Sequence, residues 1–165
     1  MVAAVVLSWN RREDTIACLR SLAAADPSPH VIVVDNASTD GTSEAVRREF
    51  PEIELIENPA NLGFAEGNDV GIRHALAHGA EHVLVLNNDT VVDMGFLTPL
   101  LEEAARRPDA GALSPKILFA EPGDLIWFAG AEYDPRSGYN GRHRGYRERD
   151  ALHQQRCRCN RNDRY

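Results

Sequence analysis

The chain has 165 residues, 43% of them hydrophobic, which is one domain's worth of sequence with enough apolar content for a packed core. The formal charge of −7 is unevenly spread: residues 142–165 hold eight arginines against Glu148, Asp150 and Asp163, so the remainder is strongly acidic. An acidic body argues against nucleic acid as a partner, because phosphate contact needs a basic surface. The longest apolar runs, residues 2–7 and 83–86, are strand-sized and too short to cross a bilayer, and the amino terminus lacks the pattern of a signal peptide. A cytoplasmic protein is expected. Its three cysteines fit that compartment: Cys18 sits in a helical pattern, and Cys157 and Cys159, with only His153 nearby, make a poor zinc site.

Residues 3–7 form an apolar run suited to a buried parallel strand, followed by Ser8-Trp9-Asn10 and a helix-period segment with Ile16, Leu19, Leu22 and Ala23 on one face. Pro27 and Pro29 close that helix, and residues 30–34 are the second strand. The polar run from Asp35 to Thr42 is rich in helix-capping types, and a short helix through Ala45, Val46 and Phe50 stops at Pro51. Residues 53–56 read as a third strand. A loop at 58–61 leads to a helix through Val70, Ile72, Ala75 and Leu76 that ends at Gly79.

Residues 82–86 are the most apolar strand and are expected at the centre of the fold. They end abruptly in Asn87-Asn88-Asp89-Thr90. Phe96, Leu97, Leu100, Leu101 and Ala104 mark another amphipathic helix, stopped by Pro108, and residues 112–119 read as a fifth strand that Pro115 turns into an edge or a bulge. The alternation predicts an α/β fold with a mostly parallel sheet, whose ligands collect beyond the carboxyl ends of the strands. Every polar cluster above falls there. Residues 124–146, with Trp127, Phe128, Tyr133 and several Gly and Arg, predict a hairpin or a covering loop, and from 150 onward no periodicity remains.

Each cluster has two readings. Asp35 at a strand end can cap the next helix, or accept hydrogen bonds from a ribose or a base N–H. Asp89 can complete an Asn-rich turn, or hold Mg²⁺ or Mn²⁺ as one carboxylate beside substrate phosphates. The segment Asn61-Leu62-Gly63-Phe64-Ala65-Glu66-Gly67-Asn68 opens a helix with two glycines, as a loop needing unusual dihedrals or as a close approach to an anion.

Taken together, four segments in register resemble the family 2 glycosyltransferases of the GT-A fold, and the rhamnosyltransferase-like branch in particular: Val5-Val6-Leu7-Ser8-Trp9-Asn10, Val33-Val34-Asp35 with the polar run to Thr42, Asn61 to Asn68, and Leu86-Asn87-Asn88-Asp89-Thr90. The resemblance implies a Rossmann-like GT-A core at 1–120, the start of an acceptor-side region at 121–150 and an irregular basic tail at 151–165. It implies that Ser8, Asn10 and Asp35 line the base and ribose pocket, that Asn68 and the Gly63–Gly67 turn shape the donor side, and that Asn87 and Asn88 lie near ribose and diphosphate. Asp89 would hold the Mg²⁺ or Mn²⁺, with Asn87 standing where the usual Asp-x-Asp motif has its first acid. The implied reaction is inverting transfer of a sugar, rhamnose first, from a dTDP- or UDP-linked donor to a lipid-linked or cell-surface glycan acceptor. No residue presents itself as the catalytic base: Glu132, Asp134, Glu148 and Asp150 fit no such motif. The resemblance stops near residue 150, so a truncated nucleotide-sugar-binding module without a base is the alternative expectation. The arginine-rich tail adds an expected peripheral contact with anionic lipid. A nicotinamide-binding Rossmann domain is excluded by the lack of glycine in Ser8-Trp9-Asn10-Arg11-Arg12, and a P-loop by the lack of its glycine-lysine signature.

Overall fold

A computed structural model describes residues 1–134, 139–150 and 157–159. The chain divides into two compact units, Met1–Ala23 with Ser28–Thr90, and Ala24–Pro27 with Val91–Tyr165.

The first unit alternates strand and helix: β1 (Val2–Ser8), α1 (Arg12–Ala23), β2 (His30–Asp35), α2 (Thr42–Glu49), β3 (Glu54–Glu57), α3 (Gly63–Ala77) and β4 (His82–Asn87). Its sheet runs β3-β2-β1-β4 and is parallel throughout, as short apolar runs separated by helices require. Ala3, Ala4, Val5 and Val6 of β1 and Val33 and Val34 of β2 are fully buried, with Ala75 of α3 closing one face over Val5, Ile32 and Val34. Gly71 makes that closeness possible: a Cβ there would stand 2.4 Å from Val5 Cγ1 and 2.8 Å from Val34 Cγ2. Register then sets the site. Ser8 pairs with Asp35, Asp35 with Glu57 and Leu7 with Asn87, so the polar ends of four strands fall in one row at the carboxyl edge.

The order corrects one expectation. β4 is not central but lies beside β1 at the margin of this sheet, with Val85 44% exposed. Of β4 only Leu86 is buried, so its apolar run fixes neither how its faces are covered nor its place in the order.

β5 (Thr90–Val92) begins on the last residue of the first unit, and the second unit holds the rest of it with α4 (Leu97–Arg106), β6 (Ile117–Phe119), β7 (Ile126–Phe128), β8 (Ala131–Asp134), β9 (Tyr139–His143) and β10 (Cys157–Cys159). A sheet in the order β5-β10-β6-β7 and an antiparallel β8–β9 pair make up its strands. The expected hairpin is β8–β9. The fifth strand is shorter than residues 112–119, because Pro115 has no N–H for a ladder and pairing begins only at Ile117. Pro115 does not mark an edge, since β6 lies between β10 and β7, but the β6–β7 register does shift between Ile117 and Leu118. Lys116 Nζ meets Asp150 Oδ1 at 2.7 Å, both side chains largely buried. The stretch without periodicity contributes β10, whose three residues are too few to leave a period. The rest of the basic tail, 151–156 and 160–165 with His153, and the side chains of Glu132 and Asp134 lie outside the described residues. No described helix is long and apolar enough to cross a membrane.

Candidate functional site

The polar ends of β1, β2 and β4 are joined by one hydrogen-bonded network. Asp35, 2% exposed, accepts bonds on both carboxylate oxygens from Ser38, from its N–H at 3.0 Å and from its hydroxyl. Ser38 Oγ also accepts the Asn10 N–H at 2.7 Å, and Asn10 Oδ1 accepts the Thr39 N–H at 2.9 Å. The carbonyl of Asn10 receives Asn88 Nδ2 at 3.4 Å, and that same amide donates to Thr15 Oγ1 at 2.9 Å. Thr15 Oγ1 in turn lies 3.0 Å from Ser8 Oγ, and both side chains are fully buried. Asp35, Asn10, Asn88 and Ser8 therefore belong to one fixed assembly, with Thr15 on α1 and Ser38 after β2 as its connectors.

Three non-glycine residues in these two turns hold left-handed backbone: Asn10 at φ 58°, Arg11 at φ 61° and Ala37 at φ 61°. Asparagine tolerates that region, but arginine and alanine gain nothing from it, and each such residue costs on the order of 1–3 kcal/mol. The bond from the Asn10 N–H to Ser38 Oγ and the bond from the Thr39 N–H to Asn10 Oδ1 hold the β1 turn in this shape. Strain retained at adjoining strand tips is what binding sites concentrate. Next to Asn10, Arg11, Arg12, Glu13, Asp14 and Asp40 line an open depression of about 250 Å³. Burial of Asp40 would raise its pKa, yet hydrogen bonds from the Thr42 side chain and from the Arg12 and Thr42 backbone outweigh it and hold the carboxyl below its ordinary range. Its Oδ2 caps the first residue of α1 at 2.9 Å, and its Oδ1 accepts the Thr42 N–H of α2 at 3.1 Å.

The amino end of α3 is fixed by amides. Asn36, buried, accepts Asn58 Nδ2 at 2.7 Å and donates to Asn61 Oδ1 at 3.2 Å and to the Gly63 carbonyl at 3.0 Å. Gly67 lets the helix come this close, since a Cβ there would sit 2.8 Å from Asn36 Nδ2. Asn68, 5% exposed, donates to the Phe64 carbonyl at 2.8 Å, while its buried Oδ1 has no hydrogen-bond partner among the described residues. Such an acceptor is uncommon, and an ordered water or a ligand donor can satisfy it.

β4 ends at Asn87, whose carbonyl receives Cys18 Sγ at 3.8 Å, and Asn88-Asp89 turn the chain into β5. Asp89 is half-buried in that turn and is the single acid of Asn87-Asn88-Asp89. Among the described residues no three His, Cys, Asp or Glu side chains stand together as a ready metal cluster. One hard carboxylate at a strand tip fits Mg²⁺ or Mn²⁺ only where a ligand's phosphates complete the coordination.

Residue types and spacing singled out the strand-tip residues and missed Thr15 and Ser38. Thr15 left one usable signal, a hydroxyl at i−4 and i−7 from Leu19 and Leu22 on the buried face of α1.

A model of the glycosyl transferase family 2 matches residues 3–157. The N-acetylglucosaminyl-diphospho-decaprenol L-rhamnosyltransferase of Mycobacterium tuberculosis is 36% identical over 108 residues, 60% of this chain and 35% of that protein. Galactofuranosyltransferase GlfT1 of Mycolicibacterium smegmatis is 34% identical over 90 residues, 54% of this chain and 30% of its own length. The chain thus spans about a third of the curated relatives it matches. Among solved structures, the mannosyltransferase PcManGT from Pyrobaculum calidifontis, in complex with GDP-Man and Mn²⁺, superposes with a TM-score of 0.57 at 24% identity, covering 84% of this chain and 37% of that one. TarS of S. aureus with UDP gives a TM-score of 0.57 at 22% identity, covering 72% and 34%. With its parallel β3-β2-β1-β4 sheet, the polar row at the carboxyl edge and a match over residues 3–157, this chain belongs to glycosyl transferase family 2 and has the GT-A fold.

Proposed function

We propose that the row of strand tips binds the nucleotide part of a nucleotide-diphosphate sugar, and that the protein serves transfer of that sugar to an acceptor hydroxyl. The observation that carries this reading is the single network linking Asp35, Asn10, Asn88 and Ser8 across three strand ends in register. Each carboxylate oxygen of Asp35 keeps a lone pair beyond the bonds from Ser38, so it can accept a base or ribose donor. Ser8 and Asn10 shape the same pocket from β1. Asn68 presents its buried Oδ1 acceptor at the start of α3, and Asn87 and Asn88 stand toward ribose and diphosphate. Asp89 would hold Mg²⁺ or Mn²⁺. When bound, the ion neutralises charge growing on the departing nucleoside diphosphate.

The finer assignments rest on likeness. Rhamnose is the favoured sugar and dTDP the favoured nucleotide, ahead of UDP, because the tuberculosis relative's name is that of a rhamnosyltransferase. That name also joins the sugar to an N-acetylglucosaminyl-diphospho-decaprenol, so a lipid-linked glycan at the inner face of the membrane is the acceptor we favour, reached from the cytoplasm. Inversion needs a carboxylate to take the acceptor proton, and no described residue is assigned that role. We place the donor-binding part at residues 1–120, the start of the acceptor side at 121–150 and a basic tail at 151–165.

Calorimetric titration with dTDP and UDP, each with and without Mn²⁺, tests the reading in the unmodified chain and in Asp89→Ala. The expected result is nucleotide binding that Mn²⁺ strengthens and that loses this gain in Asp89→Ala. Folded protein that binds neither nucleotide overturns the site. Release of dTDP from dTDP-rhamnose that depends on an added lipid-linked glycan acceptor, measured alongside, separates transfer from binding alone.

A further inference from the structure

We propose that Thr15 is a positioning residue for the Asn88-Asp89 turn, setting the metal end of the site from the far side of β1. This rests on the donor-site reading above. A hydroxyl offers one proton and two lone pairs, and Thr15 Oγ1 has a neighbour for each: the Arg11 carbonyl at 3.2 Å, Ser8 Oγ at 3.0 Å and Asn88 Nδ2 at 2.9 Å. Its side chain is fully buried on α1, a twelve-residue helix, so the group cannot swing away or be replaced by bulk water. Asn88 is one of only two residues between β4 and β5, and the other is Asp89. Fixing the Asn88 amide to α1 and to the Asn10 carbonyl, 3.4 Å away, therefore restricts the backbone that carries Asp89.

A single-carboxylate metal site gains most from such a restraint. With neutral Asn87 and Asn88 beside it, Asp89 has no second acid of its own turn to correct a misplaced oxygen. Groups that orient a ligand from behind characteristically change metal affinity about 10–100-fold when removed. Thr15 Oγ1 touches Ser8 on the base side as well as Asn88, so the part of its effect that belongs to the Asp89 turn is the change in the gain from metal, read against each variant's own metal-free affinity.

The test compares Thr15→Val, Thr15→Ala and Thr15→Ser with the unmodified chain and Asp89→Ala, titrating dTDP or UDP with and without Mn²⁺. Thr15→Ser and Thr15→Ala lose the same methyl, so their difference isolates the hydroxyl even if Thr15→Val folds poorly. The expected result is a gain from Mn²⁺, taken relative to each variant's own metal-free affinity, reduced about tenfold or more in Val and Ala and restored in Ser. Exchange of the Asn88 side-chain amide protons, followed by NMR without metal or nucleotide, should speed up in Ala and not in Ser. An undiminished Mn²⁺ gain in Thr15→Ala, with Asp89→Ala abolishing it, overturns the role of Thr15 and leaves the donor site standing. A gain that survives Asp89→Ala overturns the metal assignment and this inference with it.

Discussion

Asp40 shows how one side chain at the strand tips serves two helices. Its carboxylate caps Arg12 at the start of α1 and Thr42 at the start of α2, from a position outside both. Removing an N-capping acceptor costs on the order of 1 kcal/mol per helix, so Asp40→Ala should lower the unfolding free energy by about 1–2 kcal/mol in urea titration at pH 7. The sign of its pH dependence follows from the depressed pKa. The charged form is favoured in the folded protein, so the contribution is complete above the ordinary carboxylate value of 3.8 and fades as pH falls below it. The gap between Asp40→Ala and the unmodified chain should therefore close in acid. A gap that widens there would mean that the neutral acid is the better cap, contrary to the three hydrogen bonds that favour the charge.

At the scale of elements, α3 is held to the sheet by what it lacks. A methyl at position 71 would press on Val5 Cγ1 and Val34 Cγ2, both on buried strands whose β-branched side chains have little rotamer freedom. Alanine gains about 1 kcal/mol of helix propensity over glycine, while overpacking a core costs about 1–3 kcal/mol. Overpacking should win, so Gly71→Ala is expected to destabilise by about 1 kcal/mol or more in the same urea titration. A stabilised variant would mean that α3 can lift from β1 and β2 without loss. Such close approach is invisible in sequence, where Gly71 is only a small residue between Val70 and Ile72. The helices and the first-unit strands were legible because their apolar periods run for four residues or more. β5, β7 and β10, at three residues each, were not. The site divides the same way. Asn10, Asp35 and Asp89 stood out as polar residues ending apolar strands, whereas Thr15 acts from inside a helical pattern and Ser38 from a turn full of equivalent hydroxyls. Ala37 gave no sign of its left-handed backbone, since nothing in alanine prefers it.

For the molecule as a whole, stability should be graded rather than uniform. β1 and β2 are flanked by strands on both sides, and residues 3–6 and 32–34 are at most 1% exposed. β8 and β9 form a sheet of two strands whose register slips between Ala131 and Tyr133. A two-stranded ribbon is marginal by itself, and amides in such ladders open locally at a small free energy, about 0–2 kcal/mol. Amides in a doubly flanked, fully buried strand open only with the cooperative unit that contains them, at about 5 kcal/mol or more for an ordinary domain. Native-state hydrogen exchange read residue by residue should therefore place β1 and β2 as the slowest group, with β6 and β7 faster and β8–β9 faster still. Dilute urea should accelerate β1 and β2 more steeply than β8–β9, because opening them exposes the buried valines. Equal protection and equal urea dependence in β9 and β1 would show that the second unit's strands unfold with the parallel sheet as one body. Burial would then be a poor guide to the opening of this fold.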